Sequence, residues 1–384
     1  MKKLLFILLA LTLVALPLFG ACAPEEEPPP PPPPEDGEEP PPPPPPPEPI
    51  ELTYNLLFGS TNYHGVLVQA FADEINARTD GLVTITVYPG FALAPPPEMY
   101  DATETGISDM SLTCLAYTMG RFPACTLVDL PHGYPNGWVA SHVAWDFYNE
   151  FMPDELADTH VLYFHAHGPG VVVTVEEPVY TMEDMEGLVI RATGVGAMVM
   201  EELGATPYAS GMGGAYELLQ KGTVDGSYEP FEPLLGWNHA EVVKYVTNCY
   251  EVGYTTMFYV GMNKDKWDSL PSDIQTIFTE VSEEWMEKHA KVWVAYDKMA
   301  KDHFLTFEGR ELIELSADEM ARWVAAGELA KADYFAELTA LGLPAAEYEE
   351  YLNERIAYWS ALAPSEAECI FWVEQNVIPL VPGE

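Results

Sequence analysis

The chain has 384 residues, 60 of them acidic and 17 basic, and a formal charge of −43. That balance excludes nucleic acid, because nothing here neutralises a phosphate backbone, and it excludes an electrostatic hold on anionic lipid. The length suits two or three domains with a large core, and any anionic ligand, approaching against the overall field, needs a local positive site.

Met1-Lys2-Lys3 followed by an apolar run from Leu4 to Phe19 reads as an export signal, too short and wrongly flanked for a membrane span. Leu18-Phe19-Gly20-Ala21-Cys22 is similar to a bacterial lipoprotein cleavage site, with Cys22 as the lipidated residue, although Phe19 stands where Leu is usual. Residues 23–49 are almost wholly Pro and Glu, with no apolar face to bury. Consecutive prolines favour polyproline II, which makes this segment a stalk on the order of 80 Å at full extension.

The folded part starts near Ile50. A strand is expected over Glu51–Phe58, then a polar loop from Gly59 to Gly65 carrying Tyr63 and His64. Val66–Arg78 has helical spacing, and Val83–Tyr88 alternates as a strand. This βαβ rhythm points to an α/β fold with a mostly parallel sheet. A short helix over Pro97–Thr105, a strand over Asp109–Leu115 and a helix over Val139–Phe151 follow. The next strand, Val161–His167, sets His165 and His167 two residues apart on one face. Without HExxH or CxxC beside them, they read as packed or cleft-lining histidines, not metal ligands.

Leu188-Val189-Ile190 is a continuous apolar run, as in a strand buried on both faces, and Arg191 follows it directly. Open α/β sheets collect ligands at strand carboxyl ends, and a guanidinium fork holds both oxygens of a carboxylate. Arg191 is therefore either an anion clamp or a structural partner for one of the many acids. A helix over Ala197–Leu203, a helical turn over Ala215–Gln220, an aromatic-rich loop from Ser227 to Phe231 and a strand-like run over Tyr254–Met262 come next. Ser272–His303 forms a long helical pattern, well beyond the usual three turns or so, and helical segments with acidic faces continue to about Leu362.

Several stretches, in order, match one family. Phe71-Ala72-Asp73-Glu74 through Thr79-Asp80-Gly81, Val87-Tyr88-Pro89-Gly90, and Glu98-Met99 through Gly106-Ile107-Ser108-Asp109-Met110 are three of them. Met182–Arg191, Leu219-Gln220-x-Gly222-x-Val224-Asp225-Gly226 and Asn263-Lys264-x-x-Trp267-x-x-Leu270-Pro271 are three more. Together they resemble the DctP-type substrate-binding proteins of tripartite ATP-independent periplasmic (TRAP) transporters, over about residues 50–365.

The resemblance implies a two-lobed α/β clamp, periplasmic-binding-protein-like, with a long helix spanning both lobes. With the lipoprotein signal peptide (1–22) and the stalk (23–49) read above, the expected division adds lobe I (50–174 plus about 258–285), lobe II with the spanning helix (175–257 plus about 286–365) and a C-terminal tail (366–384). It implies that Arg191 binds a ligand carboxylate, and that the protein delivers its ligand to the membrane subunits of an ion-gradient-driven TRAP permease. The location implied is periplasmic or cell-surface, on a lipid anchor at Cys22.

Three departures bear on the ligand. Glu229 stands where the family often places a ligand-contacting Asn, Val171 where some members carry a second Arg, and Gly214 where an acid precedes the "VYxALQ" step. One firm cation in the cleft suits a monocarboxylate with an apolar or amine-bearing body. The expected ligand-contact set is Arg191, Glu229, Tyr63, His64, Tyr228, Phe231, Trp237 and His167. No catalytic residue, metal or cofactor is expected, since no nucleophile elbow, P-loop, HExxH or dinucleotide fingerprint is present. The alternatives are a sensor presenting ligand to a membrane receptor and a lipid-anchored enzyme. Cys114, Cys125, Cys249 and Cys369 are either buried thiols or, for Cys114 and Cys125, a disulfide.

Overall fold

A computed structural model describes residues 48–383; the export signal, Cys22 and nearly all of the Pro/Glu segment lie outside the described residues. The strands are β1 (Ile50–Leu56), β2 (Val83–Tyr88), β3 (Met110–Cys114), β4 (Thr159–Ala166), β5 (Val171–Thr174), β6 (Val189–Ala192), β7 (Thr206–Ala209), β8 (Gly226–Glu229), β9 (Tyr245–Asn248), β10 (Met257–Asn263) and β11 (Glu311–Glu314). The helices are α1 (Tyr63–Arg78), α2 (Met99–Glu104), α3 (Pro123–Thr126), α4 (Gly137–Phe151), α5 (Val195–Glu202), α6 (Met212–Gln220), α7 (Pro233–Gly236), α8 (Lys264–Ser269), α9 (Ser272–Phe304), α10 (Ala317–Ala340), α11 (Ala345–Ser360) and α12 (Glu366–Asn376).

Two sheets with flanking helices make two lobes. The first sheet has the order β2-β1-β3-β10-β4 and the second β11-β9-β5-β8-β6-β7. β1 is parallel to β2 and β3, whereas β10 is antiparallel to both β3 and β4. In the second sheet β6 is parallel to β7 and β8, while β5 is antiparallel to β8 and β9. The sheets are thus mixed rather than mostly parallel. The reversed strands, β5 and β10, are those by which the chain enters the second sheet from β4 and later returns to the first. Their direction is set by that crossing, not by a local βαβ return.

Sequence periodicity missed the short strands. Gly226–Glu229, expected as a loop, is β8, all four residues buried between β5 and β6. Four residues are too few to display a period of two against a period of 3.6. α1 begins at Tyr63, earlier than expected, because the Asn62 side chain caps it by accepting from the His64 backbone N–H at 2.9 Å. Gly65 allows this, since a Cβ there would lie 2.0 Å from the Gly59 carbonyl oxygen. Tyr63 and His64 therefore belong to a helix and not to the loop before it.

α9 runs 33 residues and joins the lobes, packing on α1, α4 and β4 of one and on α7 of the other. Trp285 Nε1 donates to the Leu67 carbonyl at 2.6 Å, which ties α9 to α1. At the α4 crossing the two backbones come close, and a Cβ on Gly137 would sit 2.5 Å from Trp293 Cβ. Residues 366–384, read from the sequence as a tail, include α12, which packs on α9. A Ser365/Glu368 capping box starts it, and Cys369 and Val373 lie buried along one face. Cys114, Cys125, Cys249 and Cys369 are all free and buried, so the Cys114–Cys125 pairing does not form.

Candidate functional site

A cavity opens between the two sheets. The first lobe supplies Leu57 and Phe58 just after β1, Cys114 and Tyr117 at the end of β3, His167 just after β4 and Phe258 at the start of β10. The second supplies Arg191 and Thr193 from the end of β6, Tyr228 and Glu229 from the end of β8, and Glu232 and Trp237 around α7. Tyr254, and Trp293 of α9, complete the wall.

Arg191 is 3 % exposed. Its Nε donates to the Ser210 carbonyl at 2.8 Å, which orients the guanidinium. Among the described residues no carboxylate lies within ion-pair distance of it. A buried charge without a counter-ion is costly, so a ligand anion is what the site lacks. Burial first, and then this charge, depress the His167 imidazole to about 4, and the charge opposes ionisation-suppressing burial at Tyr254 and Tyr117.

Glu229 reaches the cavity wall but has both carboxylate oxygens engaged. His239 Nδ1 donates to Oε1 at 2.7 Å and Ser227 Oγ donates to Oε2 at 2.6 Å, with neither the Glu229 nor the His239 side chain exposed. Burial alone would push this carboxyl up. His239, the Ser227 hydroxyl and the Arg191 charge outweigh it and hold the group below the usual carboxylate range. His167 donates from Nδ1 to the Gly168 carbonyl, so Nε2 carries the lone pair of a neutral ring.

Much of the remaining wall is aromatic. Tyr228 stacks on Tyr254 with centroids 4.2 Å apart, Phe58 on Phe258 at 5.7 Å, and Phe258 meets Trp293 at 5.0 Å. Of the residues expected at the site, Arg191, Glu229, Tyr228, Trp237 and His167 line this cavity and Tyr63, His64 and Phe231 do not. Tyr63 stacks on Tyr296 of α9 at 4.2 Å because α1 starts at that residue and turns it onto α9. Phe231 faces the smaller core of the second lobe, against Tyr250. Phe58, Phe258, Trp293 and Glu232 were not singled out from the sequence. Phe58 closes an apolar strand and reads as core, and Trp293 lies inside a long helix, so neither carries a local signal.

His64 lies one layer behind this wall. His64, His165 and His289 are buried with ring nitrogens within 4.8 Å of one another, a group able in principle to hold an ion. His64 Nδ1 and His289 Nδ1 share a hydrogen bond of 2.8 Å, and His165 Nδ1 accepts from Trp293 Nε1 at 2.9 Å. Tetrahedral zinc would hold two ring nitrogens about 3.3 Å apart, so the pair is set for a shared proton and not for an ion. Burial, with the neighbouring rings, drives the titration of His64 and His165 far down, and burial with Lys288 takes His289 to about 3. Neutral, these rings support the cavity wall: His64 stacks on Phe58 at 4.9 Å and His165 on Phe258 at 5.0 Å.

The sequence profile of the bacterial extracellular solute-binding proteins, family 7 (DctP), matches residues 58–338. The C4-dicarboxylate-binding periplasmic protein DctP of Rhodobacter capsulatus is 24 % identical over 287 residues, covering 72 % of this chain and 84 % of that protein. A TRAP periplasmic solute-binding protein from Desulfovibrio salexigens, solved as an open complex, superposes with a TM-score of 0.71 at 28 % identity, over 82 % of this chain and 98 % of that one. A TRAP solute-binding protein from Bordetella bronchiseptica with bound mandelate superposes with a TM-score of 0.75 at 26 % identity, over 81 % and 100 %.

Proposed function

The chain belongs to the bacterial extracellular solute-binding protein family 7, DctP, and from that premise we propose that it captures a small monocarboxylate between its lobes and delivers it to a TRAP-type permease. Family and fold are those of transport solute-binding proteins and not of enzymes. Members of the family are periplasmic, and among the described residues no helix is long and apolar enough to cross a membrane. The observation that carries the reading is Arg191: buried, oriented by Ser210, on the wall of the cavity and without a carboxylate partner among the described residues. A bidentate pair with a ligand carboxylate satisfies both ends of the fork. The aromatic wall accepts an apolar body. Glu229, already engaged by His239 and Ser227, does not need the ligand.

In this reading the lobes, 50–174 plus about 258–285 and 175–257 plus about 286–365, close on the ligand by hinge bending. Cys22, outside the described residues, holds the protein to a membrane through the Pro/Glu stalk. The test is thermal unfolding of the protein against benzoate, mandelate, pyruvate and succinate. A ligand specific to the folded state adds about 2.7 kcal/mol at a hundredfold excess over Kd. A shift with a monocarboxylate is expected, and Arg191→Ala should weaken that ligand by about a hundredfold or more. Unchanged affinity in Arg191→Ala sinks the clamp.

A further inference from the structure

We propose that Glu232 is a second ligand anchor, a hydrogen-bond donor that selects carboxylates carrying an acceptor oxygen on the body, as in a hydroxy- or oxo-substituted aromatic acid. The proposal rests on the carboxylate-binding reading of Arg191 and adds what the other end of the ligand must be.

Glu232 is 2 % exposed and lies on the cavity wall. Its Oε1 accepts from Asn62 Nδ2 at 2.6 Å. The Asn62 amide cannot turn round, because its oxygen is already accepting from the His64 N–H as the cap of α1. The Trp237 indole is the other side-chain group bonded to the carboxyl, and it too is a donor. The charged groups that act on Glu232 are Asp297 of α9, which accepts from the Glu232 backbone N–H at 2.9 Å, and Glu229 at the end of β8; both are acids. Burial first, then these two carboxyls, raise Glu232 to about 8 against the pull of Asn62 and Trp237. At neutral pH the group is therefore a carboxylic acid.

A carboxylic acid has one proton to donate, and a donor cannot receive it. Asn62 and Trp237 both offer N–H groups, so neither is an acceptor for the Glu232 hydroxyl. The side chain is also held in place. It folds back over its own short helix onto Gly236, where a Cβ would come within 1.9 Å of Oε1 and 2.6 Å of Asn62 Nδ2. The unmatched proton of a held, buried acid thus belongs to whatever fills the cavity. The wall that carries Arg191 and Glu232 also carries Phe58, Tyr228, Trp237 and Phe258, which suits a flat ring better than an aliphatic chain. A ring with a carboxylate at one side and a hydroxyl or carbonyl oxygen at another satisfies both anchors.

The experiment is calorimetric titration of the full-length protein with benzoate, 3- and 4-hydroxybenzoate, and 3- and 4-formylbenzoate at pH 6. At least one oxygenated acid is expected to bind roughly tenfold tighter than benzoate, the upper end for a neutral hydrogen bond. Glu232→Gln, whose amide still donates from one atom and accepts from the other, should keep the preference. Glu232→Leu should lose it, read as the ratio of oxygenated-acid to benzoate affinity within the variant. The preference should fade as pH rises through about 8, and at a lower pH in Asp297→Asn, which removes one of the acids that raise Glu232. Benzoate binding that needs Arg191, with no preference for any oxygenated acid or with the preference intact in Glu232→Leu, overturns the Glu232 anchor alone. Failure of every carboxylate to bind overturns the Arg191 clamp and this anchor together.

Discussion

Arg191 and Glu229 are both buried charges, and their surroundings treat them in opposite ways. Glu229 is satisfied from within the protein by His239 and Ser227, whereas Arg191, among the described residues, has a backbone carbonyl on Nε and no carboxylate partner. Removing one partner of a buried, hydrogen-bonded pair strands the other, a loss of roughly 3–5 kcal/mol. Glu229→Ala is therefore expected to unfold well below wild type in a denaturant titration, with Glu229→Gln, which still accepts a hydrogen bond, in between. A Glu229→Ala protein as stable as wild type would mean that this hydrogen-bonded cluster does nothing for the fold. Arg191→Ala should show the reverse pattern, losing ligand while the empty protein keeps or gains stability, because it deletes an uncompensated charge.

At the scale of elements, α9 decides how the cavity wall is placed, and α4 is one of the helices packed against it. Asn136 caps α4 by accepting from the Val139 N–H at 3.0 Å, and Gly137 behind it meets Trp293 of α9. Asn136→Ala removes a cap and should lower stability by about 1 kcal/mol. Gly137→Ala forces a Cβ against the α9 backbone side of Trp293, and overpacking of this kind costs about 1–3 kcal/mol. It should also disturb ligand binding, since Trp293 is both part of the wall and the donor to His165. Equilibrium unfolding of the two variants checks the order: the glycine change should be the larger. If the cap change is larger, the close crossing of α4 and α9 is not under strain.

For the whole molecule, the buried titratable groups predict a stability maximum on the mildly acidic side of neutrality. Glu232 and Asp297, raised chiefly by burial to about 8 and about 7, are protonated in the folded state well above the ordinary carboxylate range. Their contribution is fully present below about pH 4 and is lost as pH rises through those values. His289, depressed to about 3, and His167 and His132, depressed to about 4, are neutral when folded, again chiefly because they are buried. Their contribution is present above about pH 6.5 and is lost as pH falls through about 4 and about 3. The melting temperature should therefore be highest between roughly pH 4.5 and 6.5 and decline on both sides. Glu232→Gln combined with Asp297→Asn should flatten the alkaline limb and leave the acid limb alone. An alkaline limb unchanged in the double variant would show that other groups control it.

Read along the chain, a good deal of this was local information. The run Leu188–Arg191, the Pro and Gly steps between elements and the long pattern after Pro271 marked α/β lobes, a spanning helix and a cation at a strand end, because each is written in neighbouring residues. The short strands β7, β9 and β11 were not legible, nor was the reversal of β5 and β10, since four-residue strands carry no period and strand direction depends on where the chain crosses. The site was half legible. Arg191, Glu229, Tyr228, Trp237 and His167 lie on or beside stretches whose spacing drew notice, and they do meet at one cavity. Phe58, Phe258 and Trp293 come from three distant segments and read as core until the lobes are brought together. Glu232 is the sharpest case: in the sequence it is one acid among 60. Only tertiary structure surrounds it with Asn62, Trp237 and Asp297, groups 170, 5 and 65 residues away. Composition and spacing determine what a residue is able to do; burial and long-range partners decide its charge state, and here that difference turns an acid into a donor.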